Sequence, residues 1–127
     1  MTNAPGNHVF PPVALLRREG VTVFSGSDNI RDSWWPYGDG DMLHRAEIIG
    51  YRSGFYTDEE LRTAFEIVTS ESAKALRIEG YGISVGARAD FVTLAAANIP
   101  EAVVGFPKSR RVFRSGRLIA EDNKMIQ

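Results

Sequence analysis

The stretch VTVFSGSDNIRDSWWPYGDGDML, residues 21–43, decides how this chain folds. Val21, Thr22, Val23 and Phe24 carry no charge, the pattern of a strand buried on both faces of a parallel sheet. Ser25, Gly26 and Ser27 break that run, and Asp28 and Asn29 follow at once. A carboxylate just past the C-terminal end of a buried parallel strand stands where α/β barrels place ligands and general bases. The same aspartate also suits an ordinary turn or cap. Trp34, Trp35 and Tyr37 come next; they fit the wall of a pocket for a planar ligand, or the cover of a barrel end.

Outward from this stretch, the flanks read as helices. Pro11 and Pro12 open a helix that Gly20 stops. Asp41 caps a helix running to about Arg52, with Leu43, Ala46, Ile49 and Gly50 on its buried side. Thr57 with Glu60 is a capping box, and it opens a helix to about Val68 with Leu61, Ala64, Phe65 and Val68 on one stripe. Residues 69–72 offer a cap for a short helix carrying Ala73, Leu76 and Ile78. After Gly80 the character changes. Residues 82–86 are turn-rich, 90–94 read as a strand, and Ile99-Pro100 starts a short helix or turn. Residues 111–114 and 117–120 form two strands around Ser115-Gly116, a hairpin signal. The part before Leu76 thus holds one buried strand among helices, and a parallel strand needs neighbours. It reads as a piece of something larger.

Composition narrows the function. The chain has 127 residues, of which 43% are hydrophobic and 24% charged, the balance of one globular domain. A net charge of −1 exerts no global pull toward nucleic acid or anionic membrane, so neither is an expected partner. Lys108, Arg110, Arg111, Arg114 and Arg117 cluster, but alternation along strands makes them a solvated face. Cysteine is absent, which excludes disulfides, thiolate metal sites and cysteine nucleophiles. The N-terminus lacks the basic and apolar regions of a signal peptide, and no apolar run approaches the ~20 residues that span a bilayer. The expected location is cytoplasmic. The glycines at 80, 82 and 86 miss the dinucleotide spacing and lie between a helix and a strand, the reverse of the phosphate-binding order. The two histidines, His8 and His44, fall in different elements and read as surface or packing residues.

Two separated motifs resemble one family. Asp28-Asn29, Asp32, Trp34-Trp35-Pro36, Gly38 and Asp41-Met42-Leu43 resemble the eighth strand and following loop of cytosine deaminases and N-isopropylammelide amidohydrolases, in the metal-dependent amidohydrolase superfamily. Thr69, Ser72-Ala73, Leu76, Tyr81-Gly82-Ile83, Gly86, Ala89-Asp90, Arg111-Val112 and Gly116 resemble the superfamily's ending. Residues 2–8 look like the loop after strand seven. The resemblance covers nearly the whole chain, but about the last third of such an enzyme. It implies an α/β plus β chain: residues 1–78 as the C-terminal portion of a TIM-type (β/α)8 barrel, from the end of strand seven to the last helices, and residues 79–127 as strands of a small β-sandwich.

The resemblance also implies chemistry: hydrolysis of a C–N bond in a cytosine-like or triazine-like heterocycle. The aspartate matching Asp28 binds a divalent metal, zinc or iron, and takes part in proton transfer, while Asn29 and Trp34 match substrate-binding positions. Asn29 stands where cytosine deaminase carries a second aspartate, which argues against cytosine itself. The family's His-x-His pair is missing, and one carboxylate cannot replace the three protein ligands of a catalytic zinc. The chain alone is therefore expected to be inactive. It would be a piece of an intact enzyme, half of an assembly whose N-terminal portion supplies the histidines, or a self-associating binding module derived from the same fold.

Overall fold

The computed structural model describes residues 9–126. Helix α1, Val13–Arg18, starts behind Pro12, and the left-handed Gly20 (φ 79°) turns the chain away from it. Helix α2, Met42–Ser53, is capped by the Asp41 carboxylate, which accepts from the Leu43 N–H at 2.9 Å. It stops at Gly54, whose φ of 71° admits glycine without strain. The capping box expected at helix α3, Asp58–Ile67, is complete: Thr57 accepts from the Glu60 N–H, and Glu60 reaches back to the Thr57 N–H. Helix α4, Ser70–Ala75, departs from expectation. Thr69 makes no side-chain cap; its hydroxyl donates to the Phe65 carbonyl at 2.7 Å, one turn back. Ala73 is buried, while Leu76 and Ile78, read as carried by the same helix, lie beyond its end at Ala75 and are exposed.

Helix α5, Ile99–Gly105, is fixed by Asn98, which accepts from the Glu101 N–H at 2.9 Å, and by Pro100 in its first turn. It packs on α2 and α3. The core consists of Val13, then Leu43, Ala46 and Ile49 from α2, Ala64, Ile67 and Val68 from α3 and its cap, and Ala102 and Val103 from α5. Ala46 and Ala64 are fully buried in this layer, and Gly50 faces Leu61 and Ala64 of α3.

Strands β1 (Phe91–Leu94), β2 (Arg110–Arg114), β3 (Arg117–Glu121) and β4 (Lys124–Met125) form an antiparallel sheet in sequence order. Opposed Phe91 and Phe113 stack with centroids 4.6 Å apart. The β2–β3 turn has both central residues left-handed, Ser115 (φ 49°) and Gly116 (φ 76°), the geometry that matches strand twist. The β3–β4 turn repeats this at Asp122 (φ 46°) and Asn123 (φ 65°). Arg110 ties the sheet to the helices through an ion pair with Asp41 at 2.5 Å, and its guanidinium lies over the Phe106 ring. A groove of about 900 Å³ runs between the two, lined by Leu43, Phe65, Tyr81, Phe91, Val112 and Ile119.

Residues 21–24 correct the sequence reading. Among the described residues this segment has no ladder partner, and Val21 and Phe24 are 48% and 51% exposed. Val23 packs against the core, and the Ser25 N–H donates to the Ile67 carbonyl at 3.2 Å. The reason is physical. A parallel strand is defined by neighbours, and no other described strand runs beside this one.

Candidate active site

The Ser25–Asp41 connection builds a cleft of about 340 Å³ against the first turns of α2. Asp28, Asn29 and Trp34, singled out from sequence, all line it, together with Trp35, Tyr37 and Asp39 from the same loop and His44 and Arg45 from α2. The volume suits a small ring compound.

Asp32 organises the loop. Its Oδ1 accepts from the N–H groups of Trp34 and Trp35, both at 2.9 Å, and its Oδ2 accepts from Asn29 Nδ2 at 2.7 Å. The hydrogen bond from Asn29, then that from the Trp35 N–H, holds the Asp32 carboxyl below its ordinary value. The Arg31 N–H donates to the Tyr37 carbonyl at 3.0 Å, closing the loop on itself. The two aromatics pack edge to face, Trp35 on Tyr37 at 5.3 Å, while Trp34 stays 67% exposed. Asn29 therefore contributes to the cleft with one amide donor already engaged.

Asp28 lies on the exposed side of the turn with φ 56°, a left-handed conformation that costs a non-glycine residue roughly 1 kcal/mol. The preceding carbonyl, of Ser27, accepts from Arg45 Nη2 at 2.7 Å. Opposite stand Asp39 and His44. Asp39 Oδ1 accepts from the Asp41 N–H at 2.9 Å, Oδ2 lies 3.4 Å from His44 Nδ1, and these contacts, the Asp41 N–H first, lower its pKa. The His44 ring packs on Phe106 at 5.1 Å. Sequence reasoning assigned His44 to packing or surface and passed over Asp39 and Arg45. His44 and Arg45 stand in the first turn of α2 and Asp39 two residues before its cap, so the only signal in the sequence is their nearness to Asp41.

The divalent metal implied by the resemblance finds no complete ligand set among these side chains. No group of three or more His, Cys, Asp or Glu among the described residues stands together to hold an ion. Asp28 supplies one carboxylate, and the described residues by themselves do not fit a catalytic metal. His8 and residues 2–7 lie outside the described residues.

Residues 1–120 match the model of the amidohydrolase family. The chain belongs to that family. Among curated proteins, this amidohydrolase chain is 38% identical over 116 residues to the N-isopropylammelide isopropyl amidohydrolase of Pseudomonas sp. strain ADP, covering 91% of the chain and 29% of that protein. Among solved structures it resembles the N-isopropylammelide isopropylaminohydrolase of Burkholderia multivorans at 42% identity and a TM-score of 0.87, covering 91% of this chain and 30% of that one. The 5-methylcytosine deaminase of Klebsiella pneumoniae bound to phosphonocytosine follows at 29% identity and a TM-score of 0.77, covering 91% of this chain and 28% of that one. The chain thus spans less than a third of the length of the relatives it matches. No helix among the described residues is long and apolar enough to cross a membrane.

Proposed function

We propose that this amidohydrolase chain supplies the last barrel strand and one catalytic carboxylate to a metal-dependent enzyme that hydrolyses a C–N bond of a small heterocycle. In this reading residues 21–24 are that strand. Asp28 is a metal ligand and the acid–base group: it takes a proton from the attacking water and returns it to the leaving nitrogen. Asn29 and Trp34 contact the ring, with an N-substituted triazine-like compound favoured over cytosine because Asn29 is a neutral amide. The observation that carries the reading is the convergence of Asp28, Asn29 and Trp34 on one cleft. The remaining metal ligands come from polypeptide beyond these residues, and the chain by itself is inactive.

Substituting Asp28→Asn in the assembled enzyme tests this. The expected outcome is a loss of turnover of about 10²–10⁴-fold, the usual scale of acid–base catalysis, together with loss of metal. Unchanged turnover and metal content would overturn the assignment.

A second reading is a non-catalytic module that covers its apolar surface by self-association. The exposed Val21, Phe24, Ile83 and Val85 favour it. Sedimentation of the purified chain separates the two: a concentration-dependent oligomer supports self-association, and a strict monomer removes it.

A further inference from the structure

The turn that presents Asp28 is held from two sides, and the two holds differ. On the strand side, Ser25 is pinned to the end of α3 and to α4. Its N–H donates to the Ile67 carbonyl at 3.2 Å, and the Ser72 hydroxyl lies 3.1 Å from the Ser25 carbonyl and 2.8 Å from that of Ile67. These contacts fix where the extended segment ends, three residues short of the carboxylate. On the cleft side stands Arg45. Its guanidinium crosses from α2 to the Ser27 carbonyl, at 2.7 Å and partly buried. Ser27 and Asp28 share the peptide unit that this bond holds, and Asp28 carries the left-handed φ of 56°. An L-residue keeps that conformation only where its surroundings impose it. Arginine suits the task, because it is charged at every relevant pH and its donors form a rigid fork.

We propose that Arg45 is the positioning residue of this site: by holding the Ser27 carbonyl it locks the Ser27–Asp28 peptide and aims the Asp28 carboxylate into the cleft. The purpose, though not the latch itself, rests on the reading of Asp28 as catalytic. Arg45 touches no reacting atom in this scheme and acts through Asp28.

The test uses NMR of the labelled 127-residue chain. In the wild type, a coupling through the hydrogen bond between the Arg45 guanidinium nitrogen and the Ser27 carbonyl carbon is expected; its absence would overturn the latch, and this measurement needs no variant. In Arg45→Gln, the left-handed amide–Hα signature of Asp28 should disappear, while those of Arg77 and Ser115, left-handed elsewhere in the chain, persist. The Ser25 amide, held separately by the Ile67 carbonyl, should keep its protection against solvent exchange, which shows that the strand side is intact. Arg45→Lys should restore part of the Asp28 signature. A folded Arg45→Gln variant with the Asp28 signature unchanged would overturn the proposal. The functional reading fails separately: a fully active Asp28→Asn enzyme removes the catalytic role while the coupling to Ser27 still stands.

Discussion

In the layer formed by α2, α3 and α5, Ala46 and Ala64 have no exposed surface, and Ile67 and Val103 have almost none. In the loop of residues 25–41, Trp34 and Tyr37 are two-thirds exposed, and order comes from the Asp32 and Asp39 carboxylates accepting backbone N–H bonds. The layer is held by packing, which is spread over many contacts and insensitive to pH. The loop is held by a few polar bonds, which leaves carboxylates and aromatics facing the cleft. Binding surfaces sit on segments of this second kind because they must stay accessible, and a packed scaffold beneath keeps them in place.

Substitutions in the two regions should therefore report on different quantities. The largest effect on stability is expected in the layer: Ile67→Ala should cost about 2–5 kcal/mol, read by urea or thermal unfolding. A loss below about 1 kcal/mol would mean that the layer is loosely packed. A smaller change of opposite sign is expected at Gly50. A Cβ there would meet Leu61 and Ala64 at 3.6 and 3.7 Å, ordinary contact, in the middle of α2. Gly50→Ala should then stabilise by about 0.5–1 kcal/mol through helix propensity and chain entropy; destabilisation would show that the α2–α3 crossing needs the bare glycine. The smallest effect lies in the loop. The Asp32 carboxyl, whose ordinary value is 3.8, is held lower in the folded chain. Its contribution is therefore present above that ordinary value and is lost as pH falls through the lowered one. Tryptophan emission should report loosening of the loop in that acid window before the helices melt, and Asp32→Ala should shrink that step to the part contributed by Asp39, whose carboxyl is also held low.

The helices were legible because their signals are local. Asp41 and the Thr57–Glu60 box mark the starts of α2 and α3, and the spacing of Leu43, Ala46 and Ile49, or of Leu61 and Ala64, names the buried faces. The Ser115-Gly116 hairpin was legible for the same reason, and Asp122-Asn123 carries a similar turn signal that was passed over, with β4 behind it. Residues 21–24 were not, because their composition declares a strand without saying whether a neighbour stands beside it, and no described strand does. In the cleft, Asp28 and Trp34 stand out by their place after the extended run, Asn29 through a family likeness, and all three line it. His44 reads as a surface or packing residue and Arg45 and Asp39 draw no reading, because one isolated side chain has no spacing signature. The relation of His44 to Asp39 and of Arg45 to Ser27 exists only once the loop folds back on α2.

The central claim is that this amidohydrolase chain brings Asp28 to a hydrolytic site whose other metal ligands lie outside it. Metal analysis and deaminase assay of the 127-residue chain, alone and assembled with polypeptide covering the remaining length of its relatives, test it most directly. The expected result is no stoichiometric zinc or iron and no turnover for the chain alone, and both restored in the assembled enzyme. One equivalent of metal with turnover in the isolated chain would contradict the account.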